Sequence, residues 1–312
     1  MSTAIIKACN IVNTPKNTGK RCDTSMIATA MLIAVQSGLE FTLTDLQDPV
    51  GWLTTLIHQK KAFPLFGQKA PIREITNDTA PDVIVELDDG LKVFLRYGLY
   101  NRTFATTSGG LCYAEALQSF LNSGYDIIEI DQAGQMLARD NKDAAGTFSP
   151  LLTDFMYSPA PVLPDFKTTP YKNRFSYSFT PLELVQNGII FKGAQALLSM
   201  MGLIDAKITK AAAATTTKLK IGVIEECSEG DLIPTEGTDL ADPANFRVED
   251  VAALGTPVTI SAAAVVGGLI ELTGTFTTAH TYRVWGTSPA TWLANGVEGY
   301  DGSENYVDIL IP

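Results

Sequence analysis

Asp82-Val83-Ile84-Val85-Glu86-Leu87-Asp88-Asp89-Gly90-Leu91-Lys92-Val93-Phe94-Leu95-Arg96-Tyr97 decides how this chain folds. β-Branched, aliphatic and aromatic residues flank Asp-Asp-Gly, and glycine accepts the positive φ of a tight turn, so the stretch predicts a β-hairpin. After a polar link (101–110) the spacing of Tyr113, Leu117, Phe120 and Leu121 puts four large apolar residues on one helical face, predicting a helix over 112–122. A second strand pair follows: Tyr125 to Ile130, the turn Asp131-Gln132-Ala133-Gly134, then Gln135 to Arg139. Hairpin, helix, hairpin reads as a sheet platform with one helix laid on it.

Working outward, the clearest helical signal lies upstream. Asp48 is a good N-cap, Pro49 suits the first helical position, and Val50, Leu53, Leu56 and Ile57 share a face. Lys60 and Lys61 suit the last turn and Pro64 the stop, predicting a helix over 49–61. Phe63-Pro64-Leu65-Phe66-Gly67 then reads as an apolar loop, tucked under that helix or offered to a neighbouring subunit. Residues 4–12 and 41–44 alternate as strands do, and 26–36 fits either helix or buried strand. Downstream, 140–170 is punctuated by Pro150, Pro159, Pro161, Pro164 and Pro170, as in a functional loop or an arm onto a neighbour. Arg174 to Thr180 alternates polar with aromatic and is a strand. Residues 181–188 have the makings of one helical turn.

The character changes near Gly202. Short strands follow at regular intervals, at 203–208, 218–224, 258–260, 269–272, 282–285 and 306–310, with a loop over 237–245. That rhythm predicts a small all-β sandwich. The chain is thus expected to be mainly β (α+β): a β-sandwich or barrel domain over 1–202, and a second all-β domain over 203–312.

Composition narrows the function. The 312 residues are 46% hydrophobic and only 18% charged, which fits a packed protein with part of its surface covered by other chains. A net charge of −11 disfavours tight binding to a phosphate backbone. The apolar run 26–35 is too short to span a bilayer and has the wrong flanks for a signal peptide, so synthesis in the cytoplasm is expected, with no membrane partner. Cys9, Cys22, Cys112 and Cys227 are scattered without a Cys-x-x-Cys pair, pointing to free thiols, with a Cys9–Cys22 bridge as the alternative.

Catalytic signatures are missing. His58 on the first helix and His280 in a turn have no second histidine or cysteine at ligand spacing, and read as a solvated helix histidine and a loop histidine. There is no Gly-x-Ser-x-Gly elbow and no phosphate-cradling loop. The acidic pairs Asp88-Asp89 and Glu225-Glu226 sit in turns, where carboxylates serve solvation and backbone bonding. Calcium-loop spacing is lacking. Trp285 and Trp292 suggest either a carbohydrate platform or core packing, with core the commoner role. No enzyme activity, metal or cofactor is expected.

The order of elements (a sheet with an outer helix, the strand and turn Tyr125 to Gly134, a long loop, then the aromatic strand Arg174 to Thr180) resembles the tail-tube proteins of tailed bacteriophages over residues 1–205. The C-terminal module is similar to the Ig-like decorations of phage structural proteins. The resemblance implies a virion protein assembled in the host cytoplasm: hexameric rings, stacked as a hollow β-barrel tube around a DNA channel. Partners would be further copies of itself, other virion tail proteins, and DNA passing through without sequence-specific binding. Tail terminator, collar and capsid decoration are alternative virion positions, and a secreted carbohydrate-binding or adhesin module is the alternative of another class. In the tube reading, subunit contacts fall on Val83, Val85, Leu87, Val93, Leu95 and Tyr97 of the hairpin, on Phe63, Leu65 and Phe66, and on Pro159, Pro161 and Pro164.

Overall fold

The computed structural model describes residues 26–88, 91–121, 124–141, 146–165, 170–179, 183–184, 187–192, 195–210 and 214–312. The strand expected at 4–12, Cys9, Cys22, the hairpin-tip residues Asp89 and Gly90, and half of the turn expected at 181–188 lie outside the described residues. The protein is mainly β, with 44% strand against 19% helix, so curled sheets rather than helices form its frame. It divides into two compact units, Met1–Met201 and Gly202–Pro312.

In the first unit, β1 (Thr29–Gln36), β2 (Phe41–Thr42) and β3 (Ala62–Phe66) precede β4 (Glu74–Thr79), β5 (Val83–Glu86), β6 (Lys92–Arg96) and β7 (Tyr100–Thr106). Then come β8 (Tyr125–Asp131), β9 (Met136–Asp140), β10 (Thr147–Ser149), β11 (Phe155–Tyr157), β12 (Asn173–Phe179) and β13 (Gly188–Phe191). One antiparallel sheet runs β2-β10-β9-β8-β1-β3, with β13 also paired to β9, and a second runs β11-β12-β7-β4. Leu32, Leu65, Phe66, Phe104, Ile127, Phe175, Tyr177 and Phe179 from the two sheets meet in one core. Residues 26–36, readable either way in sequence, are β1, buried along almost its whole length. Dense burial on both faces erases the alternation that identifies a half-buried strand.

Helix α1 (Pro49–His58) starts where the cap signals place it, with Asp48 accepting a hydrogen bond from the Gly51 backbone N–H. It ends three residues short of the expected Lys61, because Lys60 takes a positive φ of 57°. Helix α2 (Gly110–Gln118) begins two residues before the expected 112 and ends four before 122. Residues 63–67 are not a loop: Ala62–Phe66 is β3, paired with β1. Pro64 is tolerated because β3 is an edge strand. The proline-rich stretch also carries more order than expected, since β10 and β11 fall within it.

In the second unit, β14 (Ile204–Lys210), β15 (Lys218–Glu225), β16 (Phe246–Asp250), β17 (Ile260–Val266) and β18 (Leu269–Gly274) are followed by β19 (Thr281–Gly286), β20 (Tyr300–Asp301) and β21 (Tyr306–Leu310). A five-stranded sheet, β17-β18-β15-β14-β20, and a three-stranded one, β16-β19-β21, enclose a core that includes Ile221, Ile270, Val248, Val284 and Trp292. The unit is not all-β as expected: α3 (Ile233–Leu240) occupies part of the supposed 237–245 loop, and α4 (Pro289–Ala294) follows β19. Pro234 and Gly237 disguised α3, yet proline is at home in a first helical turn. Gly237 lets α3 lie close to β17, since a Cβ there would sit 3.3 Å from Val265. Cys112 and Cys227 are both disulfide-bonded, which corrects the expectation of free thiols. Sequence spacing is silent about such pairs, because a bridge depends on Cα approach in the folded chain. Among the described residues no helix is long and apolar enough to cross a membrane.

Candidate functional site: a projecting apolar hairpin

Among the described residues β5 and β6 pair only with each other, in the register Ile84↔Phe94, Val85↔Val93 and Glu86↔Lys92. They are nevertheless the far end of a longer ribbon. β4 and β7 pair from Glu74↔Ala105 to Thr79↔Tyr100, Ala80 N–H donates to Leu99 C=O, and Val83↔Arg96 continues the same register. Only a bulge between Val83 and Ile84 breaks it. The root lies in the four-stranded sheet and the tip stands beyond it. At the junction Gly98 donates its N–H to Asp82 Oδ1 (2.9 Å), and a Cβ at this position would lie 1.7 Å from Ala80 O. Only glycine fits there.

Side chains alternate across a strand, so the ribbon's two faces can be read separately. In β7 the even-numbered Tyr100 and Phe104 face the core. In the tip, Leu91, Val93 and Leu95 share one face, and Val85 and Leu87 of the partner strand lie opposite them. The other face mixes Ile84 and Phe94 with Glu86, Lys92 and Arg96; past the end of β6 the Tyr97 ring turns edge-on to Phe94, with centroids 4.6 Å apart, and the Glu86–Lys92 pair is solvent-exposed at 3.9 Å. Leu91 is 58% and Leu95 59% exposed, so these large apolar side chains are more than half open to solvent. Val85, Leu87 and Tyr97 are also exposed, and Val83 and Val93 half-buried. Ile84, Leu91, Phe94 and Leu99 were not among the sequence-based candidates, although the same strand alternation points to them.

The remaining candidates separate. Leu65 and Phe66 are buried in the chain's own core and offer no surface, so the contact reading fails for them. Phe63 is half-buried and packs edge-on against Phe120 and Tyr125, with ring centroids 5.3 and 5.5 Å away. Pro159 and Pro161 are half-buried, while Pro164 is exposed beside Leu163.

Sequence reading also missed a buried polar cluster between the sheets. Glu129 of β8 is fully buried and accepts hydrogen bonds from Arg102 Nη1 (2.5 and 2.6 Å), Thr29 Oγ1 (2.7 Å) and the Tyr177 hydroxyl. Arg102 belongs to β7 and lies over the Phe104 ring at 5.2 Å. A register shift in β1 between Thr29 and Met31 brings Thr29 opposite Asp131 and turns its hydroxyl to the inner face. Burial pushes the Glu129 carboxyl above its ordinary range, against the pull of Arg102 and the Thr29 hydroxyl. The signal was present in sequence: Glu129 shares its strand face with Ile127, and a carboxylate on a core face needs a partner.

His58 is buried rather than solvated, its Nδ1 2.8 Å from Thr54 O. His280 Nδ1 lies 2.5 Å from Asp250 Oδ2. Among the described residues, no group of three His, Cys, Asp or Glu side chains is placed to hold a metal ion. A shallow cleft of about 250 Å³ is lined by Ser37, Tyr125, Thr153, Asp154 and Phe155 among others. Comparisons with known protein families and with curated proteins find no match.

Proposed function

We propose that this chain is a self-assembling structural subunit, a tail-tube-like protein of a bacteriophage virion whose copies form stacked rings around a DNA channel. The projecting hairpin is the observation that supports this reading most directly. A two-stranded ribbon is marginal in water unless a face is covered. Here the tip carries large apolar side chains that stand exposed on the surface, so the cover comes from another copy. Joining ribbons of successive copies also removes their open edges. The mixed face of Glu86, Lys92 and Arg96 then stays wet, and the net charge of −11 keeps passing DNA from adhering. The second unit serves as an Ig-like decoration. Tail terminator, collar and capsid-decorating positions use the same kind of contact.

Electron microscopy and light scattering across a concentration series test this. Wild-type protein is expected to form rings or hollow tubes. Leu91→Glu with Leu95→Glu, both on the exposed face, is expected to leave a folded monomer with unchanged circular dichroism. Burying a leucine contributes about 1.5–3 kcal/mol, so the double change weakens each contact by roughly a hundredfold or more. A wild-type monomer at every concentration, or a double variant that assembles normally, overturns the reading.

A further inference from the structure

The outer face of the three-stranded sheet in the second unit carries the chemistry of a ligand platform. Register places Arg247, Trp285 and Tyr306 in one row across β16, β19 and β21, and Glu249, Arg283 and Asp308 in the next. The opposite face, with Phe246, Val248, Tyr282, Val284 and Ile309, is buried in the core. On the outer face Tyr306 is 54% exposed and Trp285 half-buried. Planar groups lie against one another: the Arg283 guanidinium sits 3.9 Å from the Tyr306 ring centroid, and that of Arg247 lies 5.1 Å from the Trp285 ring.

The two tryptophans of this unit differ in what they do with their N–H. Trp292, in the core, donates its Nε1–H to Asn245 O at 2.8 Å. The Trp285 indole N–H and the Tyr306 hydroxyl make no hydrogen bond to any described residue. A partly exposed aromatic ring with an uncommitted polar handle presents both an apolar surface and a donor to a ligand. The charges on this face are already paired. Arg283 Nε and Nη2 bond the two Asp308 oxygens at 2.9 and 3.1 Å, and Arg247 Nε bonds Glu249 Oε1 at 2.8 Å. Two cations balance two anions, which leaves no net field to recruit an ion.

We propose that this face binds a neutral saccharide. Sugars present C–H faces that lie on aromatic rings and hydroxyls that bond the free indole and phenol groups and the fixed guanidinium–carboxylate pairs. A polyanion meets a chain of net charge −11 and no unpaired cation on this face. The inference concerns the second unit alone and does not rest on the assembly reading of the first.

A glycan array of neutral and acidic oligosaccharides, probed with the full chain and followed by titration calorimetry on the best neutral binder, tests it. Neutral oligosaccharides are expected to bind with little dependence on salt. Trp285→Ala and Tyr306→Ala are each expected to weaken binding about tenfold or more. Both side chains lie outside the core, so thermal melts of the variants should match the parent; if one variant misfolds, the other carries the test. No neutral ligand on the array, binding confined to acidic glycans and abolished by salt, or binding unchanged in both variants would each overturn the proposal.

Discussion

Arg102→Ala is expected to destabilise the first unit by about 3–5 kcal/mol, because it leaves the fully buried Glu129 carboxylate without its cation. For a unit of this size that corresponds to a fall in Tm of roughly 10 °C. The pH dependence identifies the cause. Burial already raises the Glu129 carboxyl, and the Arg102 charge is the largest influence holding it down. Without Arg102 the carboxyl rises further and prefers its proton in the folded state. A raised carboxyl favours folding below its unfolded pKa, and that contribution is lost as pH climbs through the folded value. The penalty of Arg102→Ala should therefore be largest near about pH 8 and shrink towards about pH 5, as urea unfolding at both values would show. Equal penalties would mean that lost packing over Phe104, not charge, dominates. Replacing the pair together, Arg102→Met with Glu129→Leu, should recover most of the loss, since well-packed apolar groups can substitute for a buried ion pair.

Gly302→Ala is expected to be the most damaging single methyl addition in the second unit. A Cβ at residue 302 would lie 2.4 Å from Cζ2 and Cη2 of Trp292. The indole cannot retreat: it is fully buried, its Nε1–H is tied to Asn245 O, and a Cβ at Gly286 on the same side would lie 2.6 Å from Cζ2. Overpacking of this kind costs about 3 kcal/mol or more where no neighbour can give way. Trp292→Ala should cost about 3–5 kcal/mol through the cavity it leaves. Asn245 O keeps the Thr287 N–H at 2.9 Å, so the lost indole bond adds little. Trp285→Ala, on the open face, should change stability by no more than about 0.5 kcal/mol. Thermal melts of the three variants separate the cases, and a Gly302→Ala protein as stable as its parent would refute the packing argument.

Local chemistry was legible in sequence where it acts over a few residues. Asp48-Pro49 marked the start of α1, and Asp88-Asp89-Gly90 marked a hairpin whose strands pair as expected. What escaped was whatever depends on distant contact. β1 and β3 are apolar on both sides because neighbours cover both faces, so 26–36 stayed ambiguous and 63–67 passed for a loop. Helix α3 hid behind Pro234 and Gly237. Of the interface candidates, those on the hairpin stand on its surface, whereas Leu65 and Phe66 turned inward, since apolar content alone does not say which molecule provides the cover. Glu129 was visible as a misfit in its strand, but its partners arrive from residues 27 to 100 positions away.

The register shared by Glu74↔Ala105 and Val83↔Arg96 roots the hairpin in the four-stranded sheet. Between the two paired stretches, Ala80 N–H to Leu99 C=O and Gly98 N–H to Asp82 Oδ1 hold the neck together, and the root strand β7 carries Arg102. In the assembly proposed above, the ribbon that makes the contact is rooted in the strand whose guanidinium neutralises Glu129. A pull on the tip is therefore expected to reach the polar clasp between the two sheets of this unit.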